Sequence, residues 1–497
     1  MKLEILLRGL EILETNAGLQ TEIGGVSYDS RKTEAGDLFV AMTGYETDGH
    51  KFIPMAREKG AACVLCETPP ADGGPYVRVA DCRAALAQLG RNWYGDPAAQ
   101  MTMVGVTGTN GKTTTTYLLK EILERKLGAK VGLIGTNQNM IGAEVLPTER
   151  TTPESFELQG LLRRMADGGC THVVMEVSSH ALFLKRVAGI HYAVGIFTNL
   201  TQDHLDFHGT MEAYCDAKAL LFRQCAVGVY NADDPWSGRL MGSASCQKVS
   251  VGEHGEKAPD LAARNIRLDA RGVRFDAVTA EETVDVEVPI PGGFMVYNAL
   301  GVLAAARALG VSLTDSAQVL GTIPHVKGRV EPVPTPGDYT ILIDYAHTPD
   351  ALENVLNTVR GFARGRVVAL FGCGGDRDRT KRPQMGDIAQ RLADFVIVTS
   401  DNPRTEEPQA IINDILAGMT GGGAEVHVEP DRRAAIAWAL AQGRPGDVIV
   451  LAGKGHETYQ EINGVRVPLD ERQVVADFFR ADAPRQKETG KIPADVV

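Results

Sequence analysis

The sequence lacks any apolar run long enough to cross a membrane, which takes about 20 consecutive apolar residues in a helix. Residues 1–14, MKLEILLRGLEILE, carry acidic side chains through their apolar positions, so they predict an amphipathic helix rather than a signal peptide. We therefore expect a cytoplasmic protein with no stable membrane insertion.

The sequence also lacks an excess of positive charge. Its 51 lysines and arginines are outnumbered by 63 aspartates and glutamates, and the formal net charge is −12. This balance argues against a general nucleic-acid partner or an anionic membrane surface, both of which attract basic proteins. Any phosphate that binds must therefore be held by local backbone amides and a few placed cations.

Cysteine is sparse, and no framework of paired cysteines is present. The chain has 8 cysteines among 497 residues, and Cys63 and Cys66 form a lone CxxC with no second pair or nearby histidine cluster. A zinc or redox site at this pair is therefore the disfavoured alternative, and we expect reduced, mostly buried thiols. Internal repeats and low-complexity segments are also absent.

The chain is too long for one hydrophobic core, and its length favours about three domains. Residues 1–98 contain short strands and one long helix that ends near the sequence WYGDP. In residues 99–330, apolar strands alternate with helices as in a parallel sheet, and an antiparallel meander interrupts them. Residues 331–497 start a second series of this kind. The predicted fold is α/β with three domains: a small N-terminal α/β domain, a central P-loop-like parallel sheet with the added meander, and a C-terminal Rossmann-like domain.

A glycine-rich turn joins an apolar run to an amphipathic run in MVGVTGTNGKTTTTYLL, residues 103–119. In P-loops, a strand, a loop of backbone N–H groups and a helix start together bind a phosphate. A Walker A loop has four residues between its glycines, however, whereas Gly108 and Gly111 enclose only Thr109 and Asn110. On this stretch alone, a glycine turn with a surface lysine is the alternative.

Four further blocks follow in order: EVSSH at 176–180, TQDHLDFHG at 201–209, YCDAK at 214–218 and DYAHTPDAL at 344–352. With GTNGKTT at 108–114, they resemble the Mur ligase family, which builds the peptide of bacterial cell-wall precursors. The family has its own P-loop variant with this shortened spacing. The resemblance implies an ATP-dependent amide ligase whose substrates are ATP, a UDP-sugar-peptide and an amino acid. We expect this ligase to be a monomer.

The blocks supply residues suited to forming an acyl phosphate. Lys112 can reach the β- and γ-phosphates, and the Thr113 hydroxyl can ligate Mg²⁺. Glu176 ends a buried strand, so its carboxylate needs a partner. That partner is either Mg²⁺ or a cation in a buried salt bridge. His204 could be a structural histidine, but its family counterpart ligates a second metal ion. Lys218 could be a solvated or ion-paired lysine, but its family counterpart is carbamylated by CO₂. The resemblance therefore implies catalytic residues Lys112, Glu176, His204 and Lys218, with metal held by Thr113, Glu176, His204 and carboxylated Lys218.

The resemblance also implies the nucleotide contacts. The family usually has an asparagine three residues before Asn298, where this chain has Met295, so the chain departs from the family at one adenine or ribose contact. The expected ATP-binding residues are Gly108, Thr109, Asn110, Gly111, Lys112, Thr113, Thr114, Asn298, Arg329, Asp344 and His347.

The segment SYDSRKTEAGDLFVA, residues 27–41, resembles the uridine-binding segment of the family's UDP-sugar-peptide ligases. Without the family, its DSR and GDLF sequences are ordinary turn chemistry. The expected contacts to the UDP-sugar-peptide are Tyr28, Ser30, Tyr45, Glu46, Thr47, Thr151, Thr152, Ser178 and Arg186.

The tetrapeptide DNPR at 401–404 follows the apolar run DFVIVTS, at a strand end where open α/β sheets bind ligands. Arg404 presents a planar fork suited to a carboxylate, and Asp401 and Asn402 offer acceptors for an ammonium group. In the family this tetrapeptide marks the members that add meso-diaminopimelate; standing alone, it would be a surface Asp–Arg pair in a turn. The expected amino-acid pocket comprises Arg377, Asp401, Asn402, Pro403, Arg404, Gly453 and Glu457.

The resemblance implies one reaction above the others. ATP phosphorylates the terminal carboxylate of UDP-N-acetylmuramoyl-L-alanyl-D-glutamate, and the amine of meso-diaminopimelate displaces the phosphate, while two Mg²⁺ ions offset phosphate charge. L-Lysine is the main alternative amino acid. A folate polyglutamate ligase lacks the uridine-binding segment, and a ligase that adds D-Ala-D-Ala lacks the loop at 401. An ATP-switched binding protein is the last alternative, which the intact catalytic residues disfavour.

Overall fold

A computed structural model describes residues 1–44, 47–148, 150–254, 258–269, 272–323 and 325–488 of the chain. Its strands form a five-stranded, an eleven-stranded and a six-stranded sheet, in that order along the chain, together with a two-stranded hairpin. Helices pack against these sheets, which confirms the predicted three-part α/β fold. Among the described residues, no helix is both long and apolar enough to cross a membrane.

The N-terminal region is a small sheet with helices beside it. Its elements are α1 (Leu3–Leu6), β1 (Glu14–Thr15), β2 (Val26–Ser27), β3 (Leu38–Val40), α2 (Ile53–Glu58), β4 (Cys63–Cys66), β5 (Tyr76–Arg78) and α3 (Cys82–Tyr94). The strand order is β1-β5-β4-β3-β2, with β1 antiparallel at the edge.

The predicted helix over residues 1–14 is wrong beyond its first turn. It ends at Leu6, Gly9 takes a φ of 78°, and β1 pairs with β5 instead of continuing the helix. Leu3 and Leu6 are already fully buried by that single turn. The strand pairing then satisfies the backbone groups that a longer helix would have satisfied.

The eight cysteines are all free, and six of them are buried. Burial raises the pKa of Cys63 to about 12 and the pKa of Cys66 to about 11. Such thiols stay protonated and unreactive at neutral pH. The pair in β4 therefore packs as small apolar side chains.

The central region is built on the eleven-stranded sheet. Its elements are β6 (Thr102–Thr107), α4 (Lys112–Leu127), β7 (Val131–Ile134), β8 (Asn139–Ile141), β9 (Glu144–Leu146), α5 (Ser155–Asp167), β10 (His172–Glu176), α6 (Ser179–Phe183), β11 (Tyr192–Phe197), α7 (Leu205–His208), α8 (Met211–Ala219), β12 (Cys225–Asn231), α9 (Ser237–Gly242), β13 (Gln247–Gly252), β14 (Leu261–Asp269), β15 (Gly272–Val278), β16 (Thr283–Val288), α10 (Phe294–Ala308) and α11 (Leu313–Leu320).

The strand order of this sheet is β16-β15-β14-β13-β12-β11-β6-β10-β7-β8-β9. The seven strands from β14 to β7 in that order are parallel, and β14, β15 and β16 form the predicted antiparallel meander at one end. The antiparallel strands β8 and β9 at the other end were not predicted. The parallel arrangement places the carboxyl ends of β6, β10 and β11 side by side.

The C-terminal region repeats this plan on a smaller scale. Its elements are β17 (Glu331–Val333), β18 (Thr340–Asp344), α12 (Pro349–Arg360), β19 (Val367–Phe371), α13 (Lys381–Leu392), β20 (Phe395–Val398), α14 (Pro408–Leu416), β21 (Glu425–Val428), α15 (Arg432–Ala441), β22 (Val448–Ala452), β23 (Tyr459–Ile462), β24 (Val465–Pro468) and α16 (Glu471–Glu488). The sheet order is β17-β18-β22-β19-β20-β21, and only β17 is antiparallel to its neighbour.

Candidate active site

A polar cleft of about 620 Å³ lies between the central and C-terminal regions. Its walls come from the loops that follow parallel strands in both sheets, where such sheets bind ligands. In the described parts of the chain, residues 1–98 contribute nothing to its lining. The predicted residues that line it are Thr109, Asn110, Gly111, Lys112, Thr113, Thr151, Glu176, Ser178, His204, Arg329, His347, Arg377, Asp401, Asn402, Arg404, Gly453 and Glu457.

The turn between β6 and α4 requires glycine at both of its predicted positions. Gly108 has a φ of 149°, and a Cβ there would lie 1.9 Å from the Thr198 hydroxyl oxygen. Gly111 has a φ of 87°, and a Cβ there would lie 2.5 Å from Asn298 Oδ1. Because α4 begins directly after the turn, the first residues of the helix line the cleft, where the free N–H groups of a helix start attract an anion.

Lys112 folds back onto this turn. Its Nζ donates to the carbonyl oxygens of Gly108 and Thr109, both at 2.9 Å. Burial lowers the pKa of Lys112, and the carboxylates of Glu176 and Asp203 oppose that shift. The ammonium group therefore lies at the glycine turn, and no carboxylate of the described residues forms a salt bridge with it.

Glu176, at the end of β10, is buried and accepts hydrogen bonds from hydroxyl and amide groups rather than from a cation. Thr113 Oγ1 donates to its Oε1 at 2.9 Å, the Thr136 amide donates to Oε1 at 3.0 Å, and Thr136 Oγ1 donates to Oε2 at 3.0 Å. Arg329 Nη2 donates to Thr113 Oγ1 at 3.0 Å. The adjacent oxygens of Thr113 and Glu176 are the hard ligands that Mg²⁺ prefers, so the pair fits that ion.

His204 and Lys218 have different surroundings. His204 immediately precedes α7 and has a φ of 54°, and its Nε2 lies 3.4 Å from Asp203 Oδ2. Burial lowers the pKa of His204, although the Asp203 carboxylate acts in the opposite direction. Lys218 is buried outside the cleft lining, where its Nζ donates to the Gly108 carbonyl at 2.9 Å and lies 4.4 Å from the Tyr214 ring centre. Within the described ranges, no three His, Cys, Asp or Glu side chains converge as a metal site. As a free amine, Lys218 does not fit a metal.

A second cavity of about 90 Å³ adjoins the glycine turn and is lined mainly by apolar groups, with Thr114, Asn298 and Asp344 among the polar ones. Asn298 Nδ2 lies 3.8 Å from Met295 Sδ, so the thioether takes the place of the family's second asparagine. The Val330 amide donates to Asp344 Oδ2 at 2.7 Å, and burial raises the pKa of Asp344. A small, partly apolar cavity beside a phosphate site suits a nucleoside base.

The DNPR loop after β20 forms the opposite end of the cleft. Arg404 has a φ of 51°, its Nη1 donates to the Gly375 carbonyl at 2.7 Å, and its Nε lies 3.3 Å from Glu461 Oε2. Arg377 also lines the cleft. Pro403 is not part of the lining, and its carbonyl accepts a hydrogen bond from the Glu406 amide within the loop. Arg404 also lines the cleft, so its side chain borders the space that a ligand carboxylate would occupy.

Asp401 is buried next to Gly453. Gly453 has a φ of 109°, and a Cβ there would lie 2.5 Å from Asp401 Oδ2. Burial alone would raise the pKa of Asp401, but the nearby Lys454 and Arg432 cations hold that pKa below its ordinary value. The carboxylate stays ionised at neutral pH and can attract an ammonium group.

The predicted UDP-sugar-peptide residues of the central region lie in and beside the cleft. Thr151 and Ser178 line it. Thr152 is buried, and its Oγ1 donates to the carbonyl oxygen at the end of β10 at 2.9 Å. Arg186 Nε donates to Glu154 Oε2 at 3.1 Å, so its guanidinium is already paired.

The described ones among the predicted N-terminal residues, Tyr28, Ser30 and Thr47, do not line this cleft. The Tyr28 hydroxyl donates to the Glu157 carboxylate of α5, which ties the N-terminal region to the central one. Ser30 is buried and Thr47 is exposed. Two further predicted residues, Tyr45 and Glu46, lie outside the described residues. Their contacts with a UDP-sugar-peptide stay predictions.

Three domain families match the chain: Mur ligase family, catalytic domain, at residues 22–94; Mur ligase middle domain at 106–306; and Mur ligase, glutamate ligase domain, at 328–455. The UDP-N-acetylmuramoyl-L-alanyl-D-glutamate–2,6-diaminopimelate ligase of Clostridium botulinum is 45% identical over 489 residues, which cover 97% of this chain and 100% of the relative. The chain belongs to the Mur ligase family. A relative of the same kind from Clostridium acetobutylicum is 44% identical, with 97% and 99% covered.

Solved structures agree with this family membership. The structure of a UDP-N-acetylmuramoyl-L-alanyl-D-glutamate–2,6-diaminopimelate ligase aligns with a TM-score of 0.69 at 34% identity and covers 97% of this Mur ligase and 99% of the other chain. A MurF ligase from Thermotoga maritima in complex with ADP aligns with a TM-score of 0.62 at 20% identity, with 94% and 99% covered. The second likeness shows a shared fold.

The sequence analysis of this Mur ligase missed Lys454, which lies beside the cleft without lining it, and it also missed residues of the lining itself. Lys454 is fully buried, and its Nζ donates to Glu457 Oε2 at 2.8 Å and to Asn402 Oδ1 at 3.0 Å. Its position between the predicted Gly453 and Glu457 in AGKGHE was the available signal. Three of the missed lining residues belong to the β23–β24 hairpin, namely Tyr459, Glu461 and Arg466.

Proposed function

We propose that this Mur ligase joins meso-2,6-diaminopimelate to UDP-N-acetylmuramoyl-L-alanyl-D-glutamate, using ATP, to form the UDP-linked tripeptide of peptidoglycan synthesis. The observation that carries the proposal is a single cleft that is lined both by the glycine turn with Lys112 and by the DNPR loop. Relatives that are named for this reaction are 43–45% identical over nearly their full length.

The reaction proceeds in two steps that share this cleft. The terminal carboxylate of the UDP-dipeptide attacks the γ-phosphorus of ATP, ADP leaves, and an acyl phosphate forms. The neutral amine of diaminopimelate then attacks the acyl carbon, phosphate leaves, and an amide bond results. In this proposal Lys112 and Arg329 neutralise the phosphoryl group during both steps, and their hydrogen bonds to the glycine turn and to Thr113 support these roles. Mg²⁺ at Thr113 and Glu176 supplies further neutralisation of phosphate charge when it is bound.

The far end of diaminopimelate bears a carboxylate and an ammonium group on one carbon, and the two sides of the pocket suit these two charges. Arg404 pairs with the carboxylate, while Asp401, held ionised, attracts the ammonium group. L-Lysine has only the ammonium group. The pocket therefore favours diaminopimelate over lysine.

The surroundings of Lys218 support a carbamate on this side chain. The set of metal ligands, by contrast, is inferred from the resemblance to the family. A buried lysine cation with one carbonyl acceptor at 2.9 Å lies in an unfavourable environment. Reaction of the neutral amine with CO₂ releases a proton and turns the side chain into a carboxylate. That group, with His204, would then offer an oxygen and a nitrogen ligand to a second metal ion.

Lys218→Ala is expected to lose most of its ligase activity and to regain part of it when short carboxylates such as acetate or formate are added. The small carboxylate would occupy the space and charge of the missing carbamate. Turnover measured against carboxylate concentration checks this, and Lys112→Ala is the matched control, since no carboxylate can replace its cation. A Lys218→Ala protein with near-normal turnover and no response to carboxylates would contradict the carbamate.

The proposed reaction is tested by ADP release together with mass-spectrometric detection of the product. We expect ADP release only when the UDP-dipeptide and diaminopimelate are both present, with one amide bond formed per ADP. Two parallel reactions test the alternative ligases. One supplies D-Ala-D-Ala with the UDP-tripeptide, and the other supplies glutamate with a folate. Steady ATP hydrolysis without either substrate, and without product, would favour the ATP-switched binding protein instead.

We further propose domain boundaries at 1–98, 99–330 and 331–497. The three sheets fall within these ranges, and the three matched families follow them closely. The cytoplasmic location, the monomeric state and the absence of a nucleic-acid partner stay predictions from the sequence.

A further inference from the structure

Tyr345 follows directly after β18 and lines the cleft, and three cleft side chains surround its ring. The Arg329 guanidinium lies 4.9 Å from the ring centre. The rings of His347 and His456 lie 4.6 Å and 5.0 Å from it, centre to centre. Each of these side chains comes from a different loop, so one aromatic ring joins three loops.

The three loops pack around Tyr345 as closely as only glycine permits. Gly455 has a φ of 51°, and a Cβ there would lie 2.6 Å from Tyr345 Cβ. Gly328 has a φ of 71°, and a Cβ there would lie 2.3 Å from the His456 amide nitrogen. The Tyr345 amide donates to the Gly328 carbonyl at 3.0 Å. The ring is therefore held in a fixed place before any ligand binds.

Arg329 gains most from such a support. It reaches from the loop just before β17 to the first turn of α4, where its Nη2 donates to Thr113 Oγ1 at 3.0 Å. A long arginine side chain loses much rotamer freedom when it is held in one direction. A flat aromatic face attracts the guanidinium and restricts it before binding, so less freedom is lost when a phosphate arrives.

The two histidines are neutral partners of the same ring. Burial lowers the pKa of His347 to about 4, and its Nδ1 lies 2.8 Å from the Tyr345 carbonyl oxygen. Burial and the nearby Arg329 lower the pKa of His456 to about 3. The His456 Nδ1 is buried without a hydrogen-bond partner among the described residues, so ring contact with Tyr345 is what orients this side chain.

We propose that Tyr345 is a positioning residue for the nucleotide end of the cleft, whose ring holds Arg329, His347 and His456 in the directions from which they meet the phosphates of ATP. This inference rests on the proposed function. The Tyr345 hydroxyl has no hydrogen-bond partner in the described part of the chain, so the role belongs to the ring.

Two substitutions separate the ring from its hydroxyl. Tyr345→Phe keeps the ring, and its kcat and its KM for ATP are expected to stay within about twofold of the unmodified protein. Tyr345→Leu removes the aromatic face, and its KM for ATP is expected to rise about tenfold. Its KM for diaminopimelate should change far less. Calorimetric titration with a non-hydrolysable ATP analogue measures the same loss without turnover.

A double variant tests whether Tyr345 acts through Arg329. If it does, Tyr345→Leu combined with Arg329→Met loses little more ATP affinity than Arg329→Met alone, because contacting residues do not contribute independently. Tyr339→Leu is the matched control, since Tyr339 precedes β18 and does not line the cleft. Its KM for ATP is expected to be unchanged.

Equal losses of ATP affinity in Tyr345→Phe and Tyr345→Leu would overturn the role of the ring. An unchanged ATP affinity in Tyr345→Leu would overturn it as well. Thermal unfolding of each variant identifies losses that come from misfolding. If Tyr345→Leu does not fold, Tyr345→Met replaces it, and the Phe variant still decides by itself whether the hydroxyl is needed. An unmodified protein that releases no ADP with both substrates would instead overturn the proposed function.

Discussion

Replacing Lys112 with alanine is expected to abolish ligation, with turnover reduced by about 10²–10³-fold or more, while the fold stays intact. The Lys112 Nζ donates to two carbonyl oxygens of the turn and forms no salt bridge with a carboxylate of the described residues, so its removal breaks few polar interactions. Its charge, by contrast, faces the transferred phosphoryl group, where negative charge must be neutralised in the transition state. ADP release and product formation are the measurements.

Lys126→Ala is the matched control for Lys112→Ala, because Lys126 lies in the last turn of the same helix and pairs with Asp315 away from the cleft. Its turnover should equal that of the unmodified protein, and both variants should unfold at similar temperatures. Normal turnover in Lys112→Ala would remove the phosphate-binding assignment of the turn.

The unmodified protein is expected to use meso-diaminopimelate better than L-lysine by on the order of a hundredfold in kcat/KM. Lysine would leave Arg404 without a ligand carboxylate to pair with its guanidinium. We expect a hundredfold rather than a larger factor because Glu461 Oε2 already lies 3.3 Å from Arg404 Nε and the Arg404 side chain is 21% exposed. Partial pairing reduces the cost of the missing carboxylate.

Arg404→Ala is expected to narrow this preference, mainly by lowering kcat/KM for diaminopimelate. The comparison requires both amino acids with each protein, and Arg391→Ala on the exposed side of α13 is the control for removing an arginine from the same region. That control should keep the full preference. Equal use of the two amino acids by the unmodified protein would overturn the assignment of the pocket.

Local sequence patterns were enough to predict most elements that carry the cleft. The apolar runs before Gly108, Glu176, Asp344 and Asp401 all form parallel strands, and the residues after them lie at strand ends. α10 ends at Ala308, and Gly310, two residues later, takes a φ of 88°. These features depend on hydrophobic periodicity and on glycine conformations, which act over a few residues and are legible in one sequence.

Elements that depend on distant partners could not be predicted. The helix expected over residues 1–14 stops after one turn because β1 pairs with β5, some 60 residues later in the chain. The strands β8 and β9 and the hairpin β23–β24 are short and have no strong pattern of their own. Their pairing depends on which edge of a sheet is free, and this is known only once the sheet is assembled.

By itself, the sequence determined the family, the α/β class, the glycine turn with Lys112 and the DNPR loop, because each is a local pattern. Only the tertiary structure decided that Arg329 reaches Thr113, that Lys454 joins Asn402 to Glu457, and that Tyr345 supports three loops. These contacts join segments that are far apart in the chain. Their geometry follows from how two sheets place their strand ends around one cleft, a relation that no local pattern encodes.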